Sequence, residues 1–332
     1  MIRFLVSILI TAILIIVLFS QISFGDLYAL LYHLDPWWVL SGCLAHVLSL
    51  LFRASRIRWL IHSKTLSLSQ FTRISVLHSF SLMILPSKLG ELTYPYLLNR
   101  MCGITLTEGL ASLITGRIYD FFITFMMLLI SAMGFPEILK INVWVAGMIA
   151  VACVCVTFLT LFHMSRLSRW VSAVFETLSS RVRFKRRNPF PWIRDKTSHI
   201  SADFDAIHSR RGYIPVTLLT TLSWLMAFWM FYAFLIGFGI SVPFSKVVLG
   251  STIAILANAL PISGLGNWGI LEAGWTVGFL LVGLSKEEAI ATGFGVHILI
   301  FLITGLIGLP CWLTLKQKSP SPLPLGQTEE GY

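Results

Sequence analysis

Apolar runs long enough to cross a bilayer recur from one end of this chain to the other, and twice a run is broken in the middle. In hydrocarbon every backbone N–H and C=O must be paired within the protein, so such runs fold as helices. A break is tolerated only where protein buries it or water reaches it. The first break lies in "ILPSKLGELTYPYLL", residues 84–98, and the second in "ALPISGLGNWGILEAG", residues 259–274. Composition agrees: of 332 residues 56% are hydrophobic and 12% charged, against about 25% charged in a soluble domain. The expected fold is all-α, a polytopic helical membrane protein of about 6–8 spans with two Pro/Gly-broken helix pairs that either cross or re-enter. The longest polar stretch, about 165–213, is below usual domain size.

Spans are expected at about 4–20, 37–52, 104–134, 141–163, 214–238 and 288–312, with broken segments at 71–98 and 246–283. The first apolar run reads as a retained anchor, since no small-residue cleavage site follows it. Span two opens with Trp37-Trp38, an interfacial pair, and is expected to end before Arg53, Arg56, Arg58 and Lys64, which mark the cytoplasmic side. Residues 1–313 are expected to form one transmembrane domain, and 314–332 a disordered cytoplasmic tail.

The formal net charge of +10 does not point to nucleic acid. Residues 165–213 hold eleven Lys/Arg against four Asp/Glu, a balance of +7 in one loop. That is the positive-inside pattern, and it places the N-terminus, this loop and the C-terminus in the cytoplasm. Leu167, Trp170, Val171, Val174, Phe175 and Leu178 recur there at helical spacing. With Arg166, Arg169, Arg181, Arg183, Lys185, Arg186 and Arg187, they describe either an amphipathic helix on an anionic leaflet or an ordinary basic loop.

Both breaks carry Leu-Pro, then Leu-Gly, then a carboxylate: Pro86, Lys88, Gly90 and Glu91 in the first, Pro261, Gly264, Gly266, Asn267 and Glu272 in the second. They form a weak internal repeat. Proline removes a donor and glycine lets the chain turn. Paired interruptions in two halves point to a transporter's binding site. Charge inside a span costs about 2.5–3.5 kcal/mol even on lenient scales. Lys88, Glu91, Arg117, Asp120 and Glu272 are therefore candidates for a substrate cavity, with Arg117 and Asp120 three apart on one helical face. Cations beside carboxylates suit a phosphate-bearing head group. The same charges could instead be structural pairs, with Lys88 snorkelling to the interface.

His46, His78 and His297 have no ligand spacing and read as satisfied core histidines; no cofactor or metal is implied. The five cysteines suggest neither a metal site nor a disulfide framework. Asn258 and Asn267 could bond backbone groups freed by the second break, and Tyr94, Tyr96 and Trp268 could line a groove or simply pack. There is no P-loop, G-x-S-x-G or H-E-x-x-H.

"LPSKLGELTYPYLL", "GRIYDFF", "LPISGLGNWGILEAG" and "GLSKEEAIATG", in that order, resemble the transmembrane domain of the lysylphosphatidylglycerol synthase/flippase family over about residues 40–312. Gly116 stands where that family usually has Glu, and Asn267 to Leu271 lengthen the third motif and remove a basic residue. The synthases carry a soluble aminoacyl-transfer domain after the membrane part. This chain ends about twenty residues past its last span, so the expectation is the flippase-like half alone. The resemblance implies a lipid-binding, flippase-like transporter of the bacterial or archaeal-type cytoplasmic (inner) membrane. Its expected partners are membrane lipids, namely an anionic leaflet and a phospholipid or polyprenyl-phosphate substrate. The alternative is a membrane-embedded enzyme, or an accessory subunit bound to a lipid- or glycan-synthesis enzyme.

Overall fold

The computed structural model describes residues 34–61, 66–85, 89–135, 213–259 and 268–317, the stretch 12–18, and scattered positions between 20 and 159. Among these, eight helices carry the architecture: α1 Pro36–Ile61, α2 Leu68–Ile84, α3 Leu89–Cys102, α4 Leu106–Met133, α5 Tyr213–Gly237, α6 Phe244–Ala259, α7 Ile270–Leu281 and α8 Lys286–Gln317. Residues 12–18 are helical too. α1, α4, α5 and α8 are long and apolar enough to cross a membrane. The chain is a polytopic helical membrane protein.

Local chemistry sets the boundaries. Asp35 accepts the Trp37 N–H at 2.9 Å, and Pro36 takes the first helical position, where a missing N–H costs nothing. α2 begins with a capping box between Ser67 and Gln70. The starts of α4 and α8 match: the Glu108 N–H donates to Thr105 Oγ1 at 3.2 Å, and the Glu288 N–H to Ser285 Oγ at 3.2 Å.

The two halves are copies of one plan: a long helix, a broken hairpin, a long helix. α1–α4 form the first copy and α5–α8 the second. Packing respects the equivalence. α2 lies on α3 as α6 lies on α7, α3 on α4 as α7 on α8, and α2 touches α8 as α6 touches α4. α1 and α5 run antiparallel along the central seam. The Asp35 N–H donates to Gly237 O at 3.0 Å, and Ser49 and Ser223 share a hydroxyl bond at 3.1 Å. The Arg56 Nη1 donates to Thr220 Oγ1 at 3.3 Å. Antiparallel counterparts make an inverted repeat.

The hairpins consequently enter from opposite faces. Arg73, early in α2, reaches Thr314, late in α8, at 2.9 Å. Lys246, early in α6, reaches Val282 O, just after α7, at 3.1 Å, and lies 5.5 Å from the Phe135 ring, just after α4. α3, with 14 residues, and α7, with 12, fall short of a crossing, which takes about 20. Close approach inside the hairpins uses glycine: a Cβ on Gly90 would lie 2.8 Å from Leu82 Cα, and one on Gly278 would collide with the Gly250 carbonyl.

One boundary differs from expectation. The second span does not stop near residue 52, because α1 runs to Ile61. Arg53 and Arg56 lie inside the helix, with Arg56 buried at 9% exposure. Their positive charge reads as a loop marker in sequence, but here it faces the bundle.

Candidate functional site

The site lies where α1, α2, α3, α4 and α5 meet. Ser112, Gly116 and Asp120 recur every four residues on α4 and so share a face. Asp120 receives a two-pronged bond from Arg56, Nη1 to Oδ1 at 2.6 Å and Nη2 to Oδ2 at 3.2 Å. The Trp224 indole N–H of α5 adds 3.0 Å to Oδ1. Arg117 Nη1 stands 3.5 Å from Oδ2. Gly116 explains itself here: its carbonyl is 3.5 Å from Arg56 Nη1, and a Cβ would sit 3.3 Å from Nη2. Where relatives were expected to carry Glu, this chain leaves room for a guanidinium.

Glu91, in the first turn of α3, is the second carboxylate. Arg117 Nη2 donates to both its oxygens at 2.6 Å. His78 Nε2 of α2 stands 3.8 Å from Oε2, and its Nδ1 shares a bond with Thr93 Oγ1 at 3.3 Å. The positive end of α3 favours a carboxylate at this position. Unlike Asp120, this pair is partly open, with the Arg117 side chain 36% exposed and Glu91 28%.

Arg53 completes the charge pattern. It donates to Ser223 Oγ at 3.3 Å and lies 5.8 Å from the Trp224 ring centre. Among the described residues, no carboxylate pairs with it directly. Three arginines thus face two carboxylates, a local excess of one positive charge. The three arginines and Asp120 line a cavity with His78, Tyr94 and Ser112, of ≈ 40 Å³ accessible to water, which is room for a few molecules. Arg56 Nε is buried and has no partner among the described residues. The arrangement can hold an anion: a donor is orphaned, a cation is in surplus, and one ion pair is partly exposed.

Glu272 lies in a separate cluster. It is the third residue of α7, as Glu91 is the third of α3. Its partner His297 is the twelfth residue of α8, as Arg117 is the twelfth of α4. His297 Nδ1 and Glu272 Oε1 are 2.6 Å apart, and both side chains are sealed, at 2% and 0% exposure. Glu272 Oε2 accepts the Gly269 N–H at 2.7 Å. Gly269 has φ +85°, the left-handed region that favours glycine. The correspondence extends further. Tyr94 OH meets Ser112 Oγ at 3.1 Å, and the Trp275 Nε1–H donates to Thr292 Oγ1 at 3.1 Å. Those residues are the sixth of α3 and α7 and the seventh of α4 and α8.

Of the residues expected to bind substrate, the structure joins Glu91, Arg117 and Asp120, with Gly90 at the hairpin contact. It sets Glu272 with His297. Pro86, Lys88, Pro261, Gly264, Gly266 and Asn267 lie outside the described residues, as do Arg166, Arg169, Trp170, Arg181, Arg183, Lys185, Arg186 and Arg187 of the basic loop. Sequence reasoning missed Arg53, Arg56 and Trp224. Ser49, Arg53 and Arg56 share one helical face, a signal that could have found the arginines. Tyr94 is buried and lines the cavity, while Tyr96 is exposed beside Arg100.

The fold and site define a helical membrane protein with an inverted repeat and an arginine–carboxylate cluster inside the bundle. The chain matches the family described as Lysylphosphatidylglycerol synthase TM region over residues 4–308, and it belongs to that family. A search of curated proteins gave no match.

Proposed function

We propose that this protein is a flippase-like lipid transporter whose cavity takes the phosphate of a lipid head group. The observation that carries this reading is the excess of arginine over carboxylate around a cavity inside the bundle. Membership of a lysylphosphatidylglycerol synthase TM family supports a membrane-lipid role. Arg53 meets the phosphate, and Arg117 joins it when Glu91 lets go. Arginine's flat fork suits two phosphate oxygens at once. Asp120 stays with Arg56 and keeps the site assembled. An inverted repeat supplies movement, because two hairpins entering from opposite faces can open in turn.

The test is head-group accessibility in proteoliposomes, using labelled phospholipids and polyprenyl phosphates. The expected result is movement of one phosphate-bearing class, abolished by Arg53→Gln and by Arg117→Ala in folded protein. If no lipid moves faster than in empty liposomes, the transporter reading fails. A partner enzyme captured through residues 165–213 would then favour an accessory subunit.

A further inference from the structure

The two halves place a carboxylate and a base at matching positions, but not the same base. Arg117 keeps its proton at any physiological pH. Histidine, unlike arginine, can carry or release a proton in that range. The Glu272–His297 pair is therefore the inverted repeat's copy of the Glu91–Arg117 pair, with histidine in the place of arginine.

Its surroundings suit that task. The pair is sealed from water. Trp268 stacks on the His297 ring at 4.1 Å between centroids and 17° between planes. Leu18, Ile290 and Phe294 form the apolar cluster against which Trp268 packs. The Gly269 N–H holds the second carboxylate oxygen, so Glu272 cannot swing away without breaking the start of α7.

Ionisable groups on the neighbouring elements are engaged elsewhere. Lys246 of α6 bonds Val282 O. Glu288 of α8 caps its own helix with Ser285, while Lys286 and Glu287 are exposed. Arg73 and His78 of α2 bond Thr314 and Thr93. His46 of α1 bonds Thr304, and Tyr232 of α5 packs on Phe244. Residues 12–18 carry no ionisable side chain. Among the described residues, no third ionisable group bonds to the pair.

We propose that Glu272 and His297 form a proton-binding site that couples lipid movement to the proton gradient; the coupling rests on the lipid-transporter reading above. In the sealed state the pair holds one proton and is neutral overall. When the second hairpin opens to its own side of the membrane, water reaches the ring. The N–H bond then breaks, the proton leaves as hydronium, and a carboxylate and a neutral imidazole remain. That negative pair is costly to seal again in the bilayer, so the hairpin closes once a proton returns. A proton thus gates the half that does not hold the phosphate.

The experiment has two arms on the full-length chain. In nanodiscs of phosphatidylethanolamine and phosphatidylglycerol, ¹⁵N-histidine NMR reads His297, assigned by the signal lost in His297→Gln. The expected result is a ring that changes protonation as the buffer is taken through the physiological pH range, and that does not in Glu272→Gln. A ring fixed in one state across the range overturns the proton site. In vesicles of the same lipids, the leaflet distribution of labelled phosphatidylglycerol is followed under a pH difference of one unit. One proton per lipid sets about a tenfold bias. His297→Arg, which copies the Glu91–Arg117 pair, is expected to abolish the bias, with thermal unfolding confirming that it folds. If it does not fold, His297→Gln takes its place. A bias that survives overturns the coupling. If the wild type moves no lipid with or without the gradient, the transporter reading and its coupling fail together, and the NMR arm still decides the proton site.

Discussion

Two carboxylate–base pairs at matching positions of an inverted repeat have been given opposite environments. Glu91–Arg117 is partly open and flanked by two further arginines. Glu272–His297 is sealed under a tryptophan, within the apolar mass of α6, α7 and α8. The difference continues one turn along. The fifteenth residue of α4 is Asp120, gripped by Arg56, whereas the fifteenth of α8 is Ile300, buried at 8% exposure. One half therefore carries a charged layer where its copy carries hydrocarbon. The backbone plan, helix caps and aromatic–hydroxyl bonds are shared, while the electrostatics are not. Shared features at matching positions report on the fold, and the features that differ report on what each half is for.

The largest expected effect breaks the charged layer. Asp120→Ala leaves Arg56 buried and unpaired, and should cost about 3–5 kcal/mol. Arg56→Met/Asp120→Leu, which brings this layer closer to the Ile300 half, should cost less than Asp120→Ala alone, because Arg56 is no longer stranded without its carboxylate. Unfolding in detergent by urea measures both. A double variant that is worse than Asp120→Ala would show that the layer specifies the packing and does not merely neutralise itself.

The next effect sets the two carboxylates against each other. Glu272→Ala strips a sealed histidine and the Gly269 N–H of their acceptor, a loss of about 1–3 kcal/mol. Glu91→Ala removes a partner from a half-open arginine that water can reach, and should cost under about 1 kcal/mol. The order of the two destabilisations is what matters. Equal losses would mean that the first pair is as closed in solution as the second.

Much of this was legible in sequence, for identifiable reasons. Apolar runs give the long helices because lipid allows nothing else. The Leu-Pro and Leu-Gly pairs give the hairpins because they interrupt helix where no water repairs it. Glu91, Arg117 and Asp120 stood out because charge in a span is expensive. Arg53 and Arg56 did not stand out, because arginines at the end of an apolar run are ordinary topology markers. The structure places them inside the bundle, with α1 running on to Ile61 and Arg56 bonded to Asp120, 64 residues on. His297 read correctly as a satisfied core histidine, but nothing in sequence names Glu272 as its partner. The antiparallel seam of α1 and α5 is a tertiary fact. It turns a weak repeat of two short motifs into an inverted one.

The smallest expected effect is the sharpest test of that repeat. Tyr94 and Trp275 make the same kind of bond, to a hydroxyl on the next long helix, at the same distance. Tyr94→Phe removes the hydroxyl and little volume. Ser112 keeps its bond to Gly109 O at 2.9 Å, so no donor on Ser112 is orphaned and the cost should be about 1 kcal/mol. Thr292→Val removes the acceptor for Trp275, whose N–H is then unpaired in a dry core, and the cost should be about 1–3 kcal/mol. Both should be measurable as shifts in urea midpoint with unchanged slope. If Tyr94→Phe costs nothing, water in the cavity already replaces its bond. The two halves would then match in geometry but differ in energy at this position too, which moves the boundary of the wet region from the arginines to the floor of α3.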